Sequence, residues 1–325
     1  MIVVTGAAGF IGSALIAGLN KKGIEDILAV DELGCDDKWK NLRGLKFIEY
    51  AEKQDFLDMV LQGRLLSPIQ TIFHLGACSS TTETDCSYLV KNNYEYSKTL
   101  AQWAINNSAR FIYASSAATY GDGEQGFVDH EERIETLKPL NMYGYSKQMF
   151  DLWVKRSDLL DKIVGVKYFN VFGPNEYHKQ SMKSFILKSF EQIKETGKVK
   201  LFKSYHEDYA NGEHVRDFIY VKDAVDMTLF FYENKNIKGL FNIGTGRARS
   251  WNDLINAVFA AMNKTPEIEY INMPASIRGQ YQYFTQADVS KIRKAGYTKK
   301  TFELEGAVKD YVQNYLQKGE YLTGI

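Results

Sequence analysis

Residues 3–15 read VVTGAAGFIGSAL and place three glycines, Gly6, Gly9 and Gly12, between an apolar run and an amphipathic stretch. Glycine permits a tight turn, and because it has no Cβ it lets backbone N–H groups approach a pyrophosphate at a helix N-terminus. Glycines also serve many ordinary strand-to-helix turns, so the spacing alone is weak evidence. Here the motif follows a strand, opens a helix and is followed about 20 residues later by Asp31, which suits a ribose hydroxyl. The stretch therefore predicts a dinucleotide-binding turn.

Apolar runs and amphipathic stretches continue to alternate through the first half of the chain. The predicted strands are 1–4, 26–31, 71–77, 110–116 and 162–171, and the predicted helices are 10–23, 84–107 and 140–157. Strand–helix alternation of this kind predicts an α/β fold with a Rossmann-type doubly wound parallel sheet.

After Pro174 the pattern becomes less regular. It predicts a helix at 181–196, a strand at 199–202 and a polar loop at 204–215. The segments 216–234 and 239–246 then read as a strand, a helix and a strand that return to the first sheet.

At 325 residues the chain is long enough for two domains. We expect residues 1–170 plus 214–246 to form the dinucleotide-binding Rossmann domain. We expect residues 171–213 plus 247–325 to form a smaller α/β domain that holds most of the substrate contacts.

Charge and cysteine content narrow the class of protein. The 40 basic and 40 acidic side chains give a formal net charge of zero, so neither nucleic acid nor an anionic membrane is expected as a partner. The three cysteines, Cys35, Cys78 and Cys86, have no metal-ligand spacing, and their odd number argues against a disulfide framework. With neither a cleavage signal nor an apolar segment of membrane-spanning length, a cytoplasmic protein without a metal is expected.

The choice between NAD and NADP stays open at the level of single residues. A carboxylate at Asp31 favours NAD because it repels a ribose 2′-phosphate. Lys38 is close enough in sequence to offset that repulsion. We predict that NADP is preferred or at least accepted, with NAD possible.

Three residues, Ser116, Tyr143 and Lys147, are candidates for catalysis beside the predicted dinucleotide. The stretch YASSAATYG (113–121) puts Ser116 at the end of a strand, where open α/β sheets bind ligands. In NMYGYSK (141–147), Tyr143 and Lys147 are four residues apart and lie on one face of a helix. A phenol has a pKa of about 10, and a neighbouring ammonium group lowers it. The pair suits an acid/base, although helices bring many such pairs together by chance.

Four motifs together resemble the extended short-chain dehydrogenase/reductase family: TGAAGFIG, SSAATYG, YGYSK and RDFIYVKD, which run from residue 5 to residue 223. The resemblance implies that Tyr143 is the catalytic acid/base and that Lys147 lowers its pKa and binds the nicotinamide ribose. It also implies that Ser116 orients a sugar hydroxyl and that the protein is a homo-oligomer.

Further motifs resemble the branch of this family that epimerises ADP-linked heptose at C6 for lipopolysaccharide synthesis. They are GACSSTTETD (76–85), NNYEYSK (92–98), HKQSM (178–182) and YFTQAD (283–288). The resemblance makes Lys179 a second catalytic acid/base, whereas a lysine that holds phosphate or solvates a loop is the simpler alternative. His178 is predicted to be structural.

The resemblance also assigns binding residues one by one. The implied cofactor contacts are Gly6, Gly9, Phe10, Ile11, Gly12, Asp31, Glu32, Lys38, Lys53, Leu75, Gly76, Ala77, Cys78, Ser79, Asn92, Lys147, Val171 and Lys179. The implied substrate contacts are Ser116, Asn170, Ser181, Lys188, Phe202, Lys203, Ser204, Tyr205, Arg216 and Tyr281. Arg216 suits a diphosphate because guanidinium binds phosphate bidentately, unless it pairs with Asp217 instead. Cys78 is predicted to be a small buried filler.

Three alternative functions are considered. A nucleotide-sugar 4,6-dehydratase is expected to carry an Asp-Glu pair after the catalytic hydroxyl, but Ala117 and Ala118 follow Ser116. A UDP-hexose 4-epimerase has the same catalytic trio (Ser116, Tyr143 and Lys147 here) but is not expected to carry ACSSTTETD or HKQSM. A non-catalytic dinucleotide sensor is expected to have lost part of the trio, which is intact here.

Overall fold

A computed structural model describes residues 1–65, 68–278 and 281–324. The strands in these residues are β1 (Ile2–Thr5), β2 (Ile27–Asp31), β3 (Glu49–Glu52), β4 (Thr71–His74), β5 (Arg110–Ser116), β6 (Val164–Tyr168), β7 (Asn170–Phe172), β8 (Val199–Phe202), β9 (Val215–Tyr220), β10 (Gly239–Ile243), β11 (Ala248–Ser250) and β12 (Ile268–Ile271). The helices are α1 (Phe10–Lys21), α2 (Lys53–Leu61), α3 (Cys86–Leu89), α4 (Tyr96–Asn106), α5 (Met142–Arg156), α6 (Phe185–Thr196), α7 (Val221–Glu233), α8 (Trp251–Ala261), α9 (Ala275–Arg278), α10 (Ser290–Lys294) and α11 (Leu304–Asp310).

Seven parallel strands form the main sheet in the order β10-β6-β5-β4-β1-β2-β3. Successive residues of β1 are buried on opposite faces, with Val4 in one hydrophobic cluster and Val3 in the other. Burial on both faces is typical of a parallel sheet covered by helices, and it explains why these strands are short continuous apolar runs. The predicted doubly wound α/β fold is therefore confirmed. The strand order reverses between β1 and β4, which places a crevice at their carboxyl ends.

The predicted strand at 162–171 is in fact two strands in different sheets. β6 lies in the main sheet beside β5, whereas β7 pairs with β9 in a three-stranded sheet that β11 completes. Phe169 is the residue between them, and its backbone N–H donates to Ile243 of β10. The run 162–171 gives no sign of such a switch, because β6 is buried throughout and only the single residue Phe169 separates it from β7.

The predicted return to the main sheet is correct only for its second strand. β10 pairs in parallel with β6 at the sheet edge, but β9 belongs to the three-stranded sheet. β3 was not predicted at all. It is an edge strand in which Ala51 is the buried residue, so the apolar signal is weak.

Two helices differ from their predicted bounds: one is interrupted and the other begins later in the chain. The helix predicted at 84–107 consists of α3, a π-helical turn at Val90–Glu95 and α4. π-helical turns occur frequently at functional sites. The helix predicted from residue 181 begins at Phe185 because Ser184 caps it, its hydroxyl accepting from Leu187 N at 3.3 Å. Ser181 therefore lies in the preceding 3₁₀ turn, Tyr177–Met182.

Candidate active site

Steric constraints require glycine in the turn between β1 and α1. Gly6 has a φ of +69°, and a Cβ on it would lie 2.7 Å from Gly76 N. A Cβ on Gly12 would lie 2.0 Å from Gly6 O. The first turn of α1 carries no acidic side chain, and Gly9 offers no side-chain cap to the free N–H groups. A bare helix N-terminus beside a close-packed backbone fits the pyrophosphate of a dinucleotide.

Asp31 is held at the carboxyl end of β2. Its carboxylate accepts from Ala8 N at 2.8 Å, from Glu32 N at 2.7 Å and from Lys38 Nζ at 2.9 Å. The contact with Lys38 offsets the carboxylate charge at the place where the sequence predicts a ribose. Both residues that were expected to decide between NAD and NADP are therefore in direct contact.

Lys53 joins two further predicted cofactor residues. Its Nζ donates to Glu32 Oε2 and to Asn92 Oδ1, both at 2.8 Å. Hydrogen bonding and charge from Lys53 lower the pKa of the Glu32 carboxyl, so it is ionised at neutral pH.

One cleft of about 570 Å³ contains every residue that the sequence assigned to the cofactor. This volume lies within the roughly 300–1,000 Å³ that is usual for ligand pockets. The cleft also brings in Ser116 and Tyr143, so all four predicted catalytic residues, with Lys147 and Lys179, line the same cleft. The remaining predicted substrate residues lie outside it.

The trio meets because α5 packs closely on the turn Ala117–Tyr120 that follows β5. Asn141 caps α5 by accepting from Gly144 N at 2.8 Å. A Cβ on Gly144 would lie 2.7 Å from Ala118 O, so glycine permits the close approach. This packing sets Tyr143 beside Ser116.

Burial dominates the electrostatics of the trio. It raises the pKa of the Tyr143 phenol, and hydrogen bonding to the Ser116 side chain opposes the rise. It lowers the pKa of the Lys147 ammonium to about 8, while the Asp151 carboxylate acts to raise it. Lys147 Nζ donates to Ala114 O at 2.9 Å. Lys147 was expected from its spacing to lower the pKa of Tyr143. In this structure it is not one of the groups that change that pKa.

Lys179 lies across the cleft on the Tyr177–Met182 turn. Its Nζ is 5.2 Å from the centre of the Phe10 ring, at the start of α1. Burial lowers the pKa of Lys179, and the nearby Glu176 carboxylate opposes that change. Glu176 is itself fully buried and accepts from the Ser184 hydroxyl at 2.6 Å. A lysine with a lowered pKa inside a cleft has the properties of an acid/base.

Asn93 in the π-helical turn is a site residue that sequence reasoning missed. Its side chain accepts from Cys78 N at 2.8 Å and donates to Cys78 O at 2.9 Å and to Ser146 Oγ at 3.0 Å. It thus fixes the loop after β4 to the catalytic helix α5. The family resemblance had assigned a cofactor contact to Asn92 and no role to its neighbour Asn93.

Cys78 is not the buried filler that was predicted. It is half-buried and lines the cleft. The prediction was wrong because Cys78 lies in the loop after β4, where its backbone is bonded to Asn93 and the residue forms part of the cleft wall and not of the core.

Arg216 lies in the other half of the molecule, at the start of β9. Its guanidinium donates to Val215 O at 2.9 Å and to Gln282 O, and it stacks on Trp251 and Tyr281. The alternative of a salt bridge with Asp217 is wrong, because that carboxylate accepts from Thr245 N, Gly246 N and Ala287 N. Arg216 is 7% exposed and pairs with no carboxylate of the described chain. A buried cation held by carbonyls and aromatic rings, with no carboxylate beside it, suits an anionic ligand.

The other predicted substrate residues surround this region or the Lys179 turn. Asn170 is exposed on β7, and Lys188 Nζ donates to Ser181 O at 2.6 Å. Phe202 ends β8, after which the backbone N–H groups of Lys203, Ser204 and Tyr205 donate to Ile271 O, Asn211 Oδ1 and Tyr283 Oη. Sequence reasoning missed His214, which is 1% exposed and packs 5.1 Å from the Tyr281 ring.

Metal-ligating side chains do not converge in the part of the chain that is described. No group of three or more His, Cys, Asp or Glu side chains there is placed to hold a metal ion. Likewise, no described helix is both long and apolar enough to cross a membrane.

Comparison with known proteins gives consistent matches over nearly the whole chain. The profile of the NAD dependent epimerase/dehydratase family matches residues 2–244. A Nitratidesulfovibrio vulgaris protein named ADP-L-glycero-D-manno-heptose-6-epimerase is 52% identical over 316 residues, covering 97% of this chain and 98% of that protein. A Fusobacterium nucleatum protein of the same name is 46% identical, covering 98% of each. The crystal structure of Helicobacter pylori ADP-L-glycero-D-manno-heptose-6-epimerase has a TM-score of 0.81 at 29% identity, covering 96% of this chain and 95% of that one.

Proposed function

The chain belongs to the NAD dependent epimerase/dehydratase family, and we propose that it interconverts ADP-D-glycero-D-manno-heptose and ADP-L-glycero-D-manno-heptose by transient oxidation at C6. The observation that carries this proposal is the cleft in which Ser116, Tyr143, Lys147 and Lys179 lie together with the glycine turn. Relatives at 52% and 46% identity that carry this enzyme's name support the choice of substrate.

Oxidation is needed because of the chemistry of the carbon to be inverted. C6 carries a hydroxyl group and no adjacent carbonyl, so its C–H bond is far too weakly acidic for a side-chain base. A bound nicotinamide cofactor supplies a hydride acceptor and donor and, when oxidised, a positive charge in the cleft. Removal of hydrogen then requires a residue that accepts the hydroxyl proton at the same time.

Tyr143 Oη is the group that takes this proton, and Ser116 Oγ orients the hydroxyl. Since the pKa of Lys147 is about 8, its ammonium is largely charged at neutral pH and adds positive charge to the cleft, which would favour the phenolate form of Tyr143. Burial raises the Tyr143 pKa, so the phenol holds its proton more tightly and its phenolate, once formed, is a stronger base for the hydroxyl proton.

Lys179 serves the opposite face of the sugar. Inversion requires that C6 be reduced from the face other than the one that was oxidised, so the sugar must reorient, and a second acid/base across the cleft would serve that face. Lys179 lies in the same cleft on a different element from Tyr143, and burial lowers its pKa toward the working range. Arg216 and the 202–205 segment would hold the nucleotide diphosphate while the heptose rotates to present the other face of C6.

We also propose a division into two domains, in which residues 1–170 plus 214–246 would hold most of the cofactor and residues 171–213 plus 247–325 would supply most substrate contacts. Its boundary at 214 places β9 with the cofactor domain although β9 lies outside the main sheet. We also propose that the protein acts in the cytoplasm as a homo-oligomer and supplies heptose for lipopolysaccharide core.

NADP is the proposed cofactor, and Lys38→Ala tests this choice. Lys38 Nζ contacts Asp31 Oδ1 at 2.9 Å and would bind the 2′-phosphate. Its removal is expected to weaken NADP by roughly 10-fold or more, since hydrogen bonds to charged groups contribute about 1.5–3 kcal/mol, and to change NAD binding little. Dissociation constants for both nucleotides provide the measurement. Lys40→Ala is the matched control, because Lys40 is on the same turn but pairs with Asp37. Equal losses of both nucleotides in the Lys38 variant would remove Lys38 from this role.

Solvent deuterium separates hydride transfer from proton exchange. An epimerase makes no net redox change, so the hydrogen removed from C6 must return to it. Product formed in deuterated water is expected to carry no deuterium on C6, and the cofactor is expected to copurify with the protein. Mass spectrometry of the product gives the answer. One deuterium per turnover on C6 would contradict the mechanism and the roles given to Ser116, Tyr143 and Lys147.

The function itself is tested by incubating the protein with each ADP-heptose epimer and resolving the products. Both reactions are expected to reach the same mixture. Conversion of UDP-hexoses instead would indicate a 4-epimerase, and cofactor binding without conversion of any sugar would indicate a sensor.

A further inference from the structure

His178 lies next to Lys179 and was predicted from sequence to be structural. In the structure it is half-buried and lines the same cleft as the predicted cofactor residues. Its Nδ1 lies 3.2 Å from Nδ2 of Asn41, on the Asp37–Leu42 turn that also carries Lys38. The imidazole is therefore attached to the element that carries the proposed 2′-phosphate residue.

Asn41 determines which nitrogen of His178 carries the proton. Its side chain is 1% exposed, and its Nδ2 donates to Ala8 O and to Asn175 O, each at 2.9 Å. Two carbonyl acceptors identify that atom as the amide nitrogen. Both of its hydrogens are directed at those carbonyls, and an amide nitrogen does not accept, so a proton on Nδ1 of His178 would face an atom that cannot receive it and the proton resides on Nε2. Nε2–H is left as the free donor of the ring.

The charged groups around His178 locate it in the cleft. Asp36, Lys179, Lys38 and Asp31 are the side chains whose charges act on it. Three of the four belong to the 31–38 segment, where the ribose is expected. Burial, together with Lys179 and Lys38, lowers the pKa of His178, so the ring is neutral at pH 7 and donates a hydrogen bond without adding charge.

We propose that His178 is a second residue that recognises the ribose 2′-phosphate: its Nε2–H donates to a phosphoryl oxygen that Lys38 also contacts. This proposal rests on NADP being the cofactor. Lys38 already contacts Asp31 at 2.9 Å, so its charge is partly compensated before the phosphate binds. A phosphate has three oxygens that accept strongly, and a fixed neutral donor satisfies one of them without repelling Lys38 or Lys179. Selectivity for NADP then depends on His178 as well as on Lys38.

The test compares His178→Phe with the wild-type protein in equilibrium binding of NADP, NAD and adenosine 2′,5′-bisphosphate. Phenylalanine keeps the ring volume and removes both nitrogens. NADP and the bisphosphate are expected to bind roughly 10-fold or more weakly, and NAD within about twofold of wild type, since only the first two carry the 2′-phosphate. His178→Gln, which retains an N–H donor, is expected to recover part of the loss.

His130→Phe is the matched control, because His130 is exposed and lies outside the cleft. It should leave all three affinities unchanged. Equal weakening of NADP and NAD in His178→Phe would place the ring on the shared pyrophosphate and overturn the proposal. Unchanged affinities would return His178 to a structural role. Epimerisation of ADP-heptose by the wild-type protein is measured separately, so a failure of the proposed function and a failure of the His178 assignment can be told apart.

Discussion

Tyr143→Phe is expected to reduce epimerisation by roughly 10²–10⁴-fold while leaving cofactor binding nearly intact. The variant removes the one atom, Oη, that we propose accepts the C6 hydroxyl proton, and keeps the ring that packs beside Ser116. A loss of this size corresponds to about 3–5 kcal/mol of transition-state stabilisation. It should appear in kcat more than in KM, because the proton moves only during the chemical step.

Tyr145→Phe provides the matched control on the same helix. Tyr145 is two residues further along α5, 49% exposed and outside the cleft, so its hydroxyl is expected to contribute nothing to the reaction. The measurement is the steady-state rate of ADP-heptose epimerisation for both variants, with NADP affinity measured alongside. Near-normal turnover by Tyr143→Phe would remove Tyr143 from the acid/base role. A parallel loss of NADP affinity would show that the residue supports the cofactor and not the proton transfer.

The parts of the site that sequence predicts are those carried by local motifs. The residues 5–12 and 115–121 each span the carboxyl end of a strand and the turn that follows it, and 143–147 lie within α5. Parallel strands bring their carboxyl ends to one edge of the sheet. Knowing the fold class therefore suffices to place Gly6, Ser116 and Tyr143 in one cleft, as the structure does.

What sequence does not predict depends on contacts between residues far apart in the chain. Asn41 reaches the carbonyl of Asn175, which is 134 positions away, and Asn93 reaches Ser146, which is 53 positions away. A lone asparagine in a polar stretch resembles many surface residues, so neither contact leaves a periodic signal. The separation of β7 from β6 is equally hidden, since a residue pattern records burial and not the sheet in which a strand is buried.

The catalytic helix is attached to the sheet by a buried ion pair that neither the motifs nor the pattern predicted. Lys167 on β6 donates from Nζ to Asp151 Oδ2 on α5 at 2.6 Å, and both side chains are at most 2% exposed. Asp151 also accepts from Tyr113 Oη at 2.9 Å and Ser115 Oγ at 2.8 Å. Lys167 Nζ donates in addition to Thr119 Oγ1 at 2.7 Å. The pair is thus bonded to Ser115, the neighbour of Ser116, and Asp151 lies one helical turn from Lys147.

Lys167→Met is expected to lower the free energy of unfolding by about 3–5 kcal/mol. Methionine fills much of the volume of the lysine stem but leaves the Asp151 carboxylate buried with two hydroxyl donors and no cation. Removing one partner of a buried pair is costly because the remaining charge cannot return to water. Denaturant unfolding of both proteins measures the difference, and an unchanged slope against denaturant would show that the compactness of the two states is unaltered.

Two further variants decide whether burial is the cause. Lys46→Met breaks an exposed pair, Lys46 Nζ to Glu25 Oε1 at 2.7 Å with both side chains more than half exposed, and should cost no more than about 1 kcal/mol. Adding Asp151→Asn to Lys167→Met neutralises the isolated carboxylate and should recover part of the stability, so the double variant should lose less than the sum of the single losses. A loss in Lys167→Met no larger than that in Lys46→Met would contradict the argument, since the buried pair would then contribute no more than a solvated one. Strictly additive losses would show instead that Asp151 and Lys167 act independently and that the ion pair does not hold α5 against the sheet.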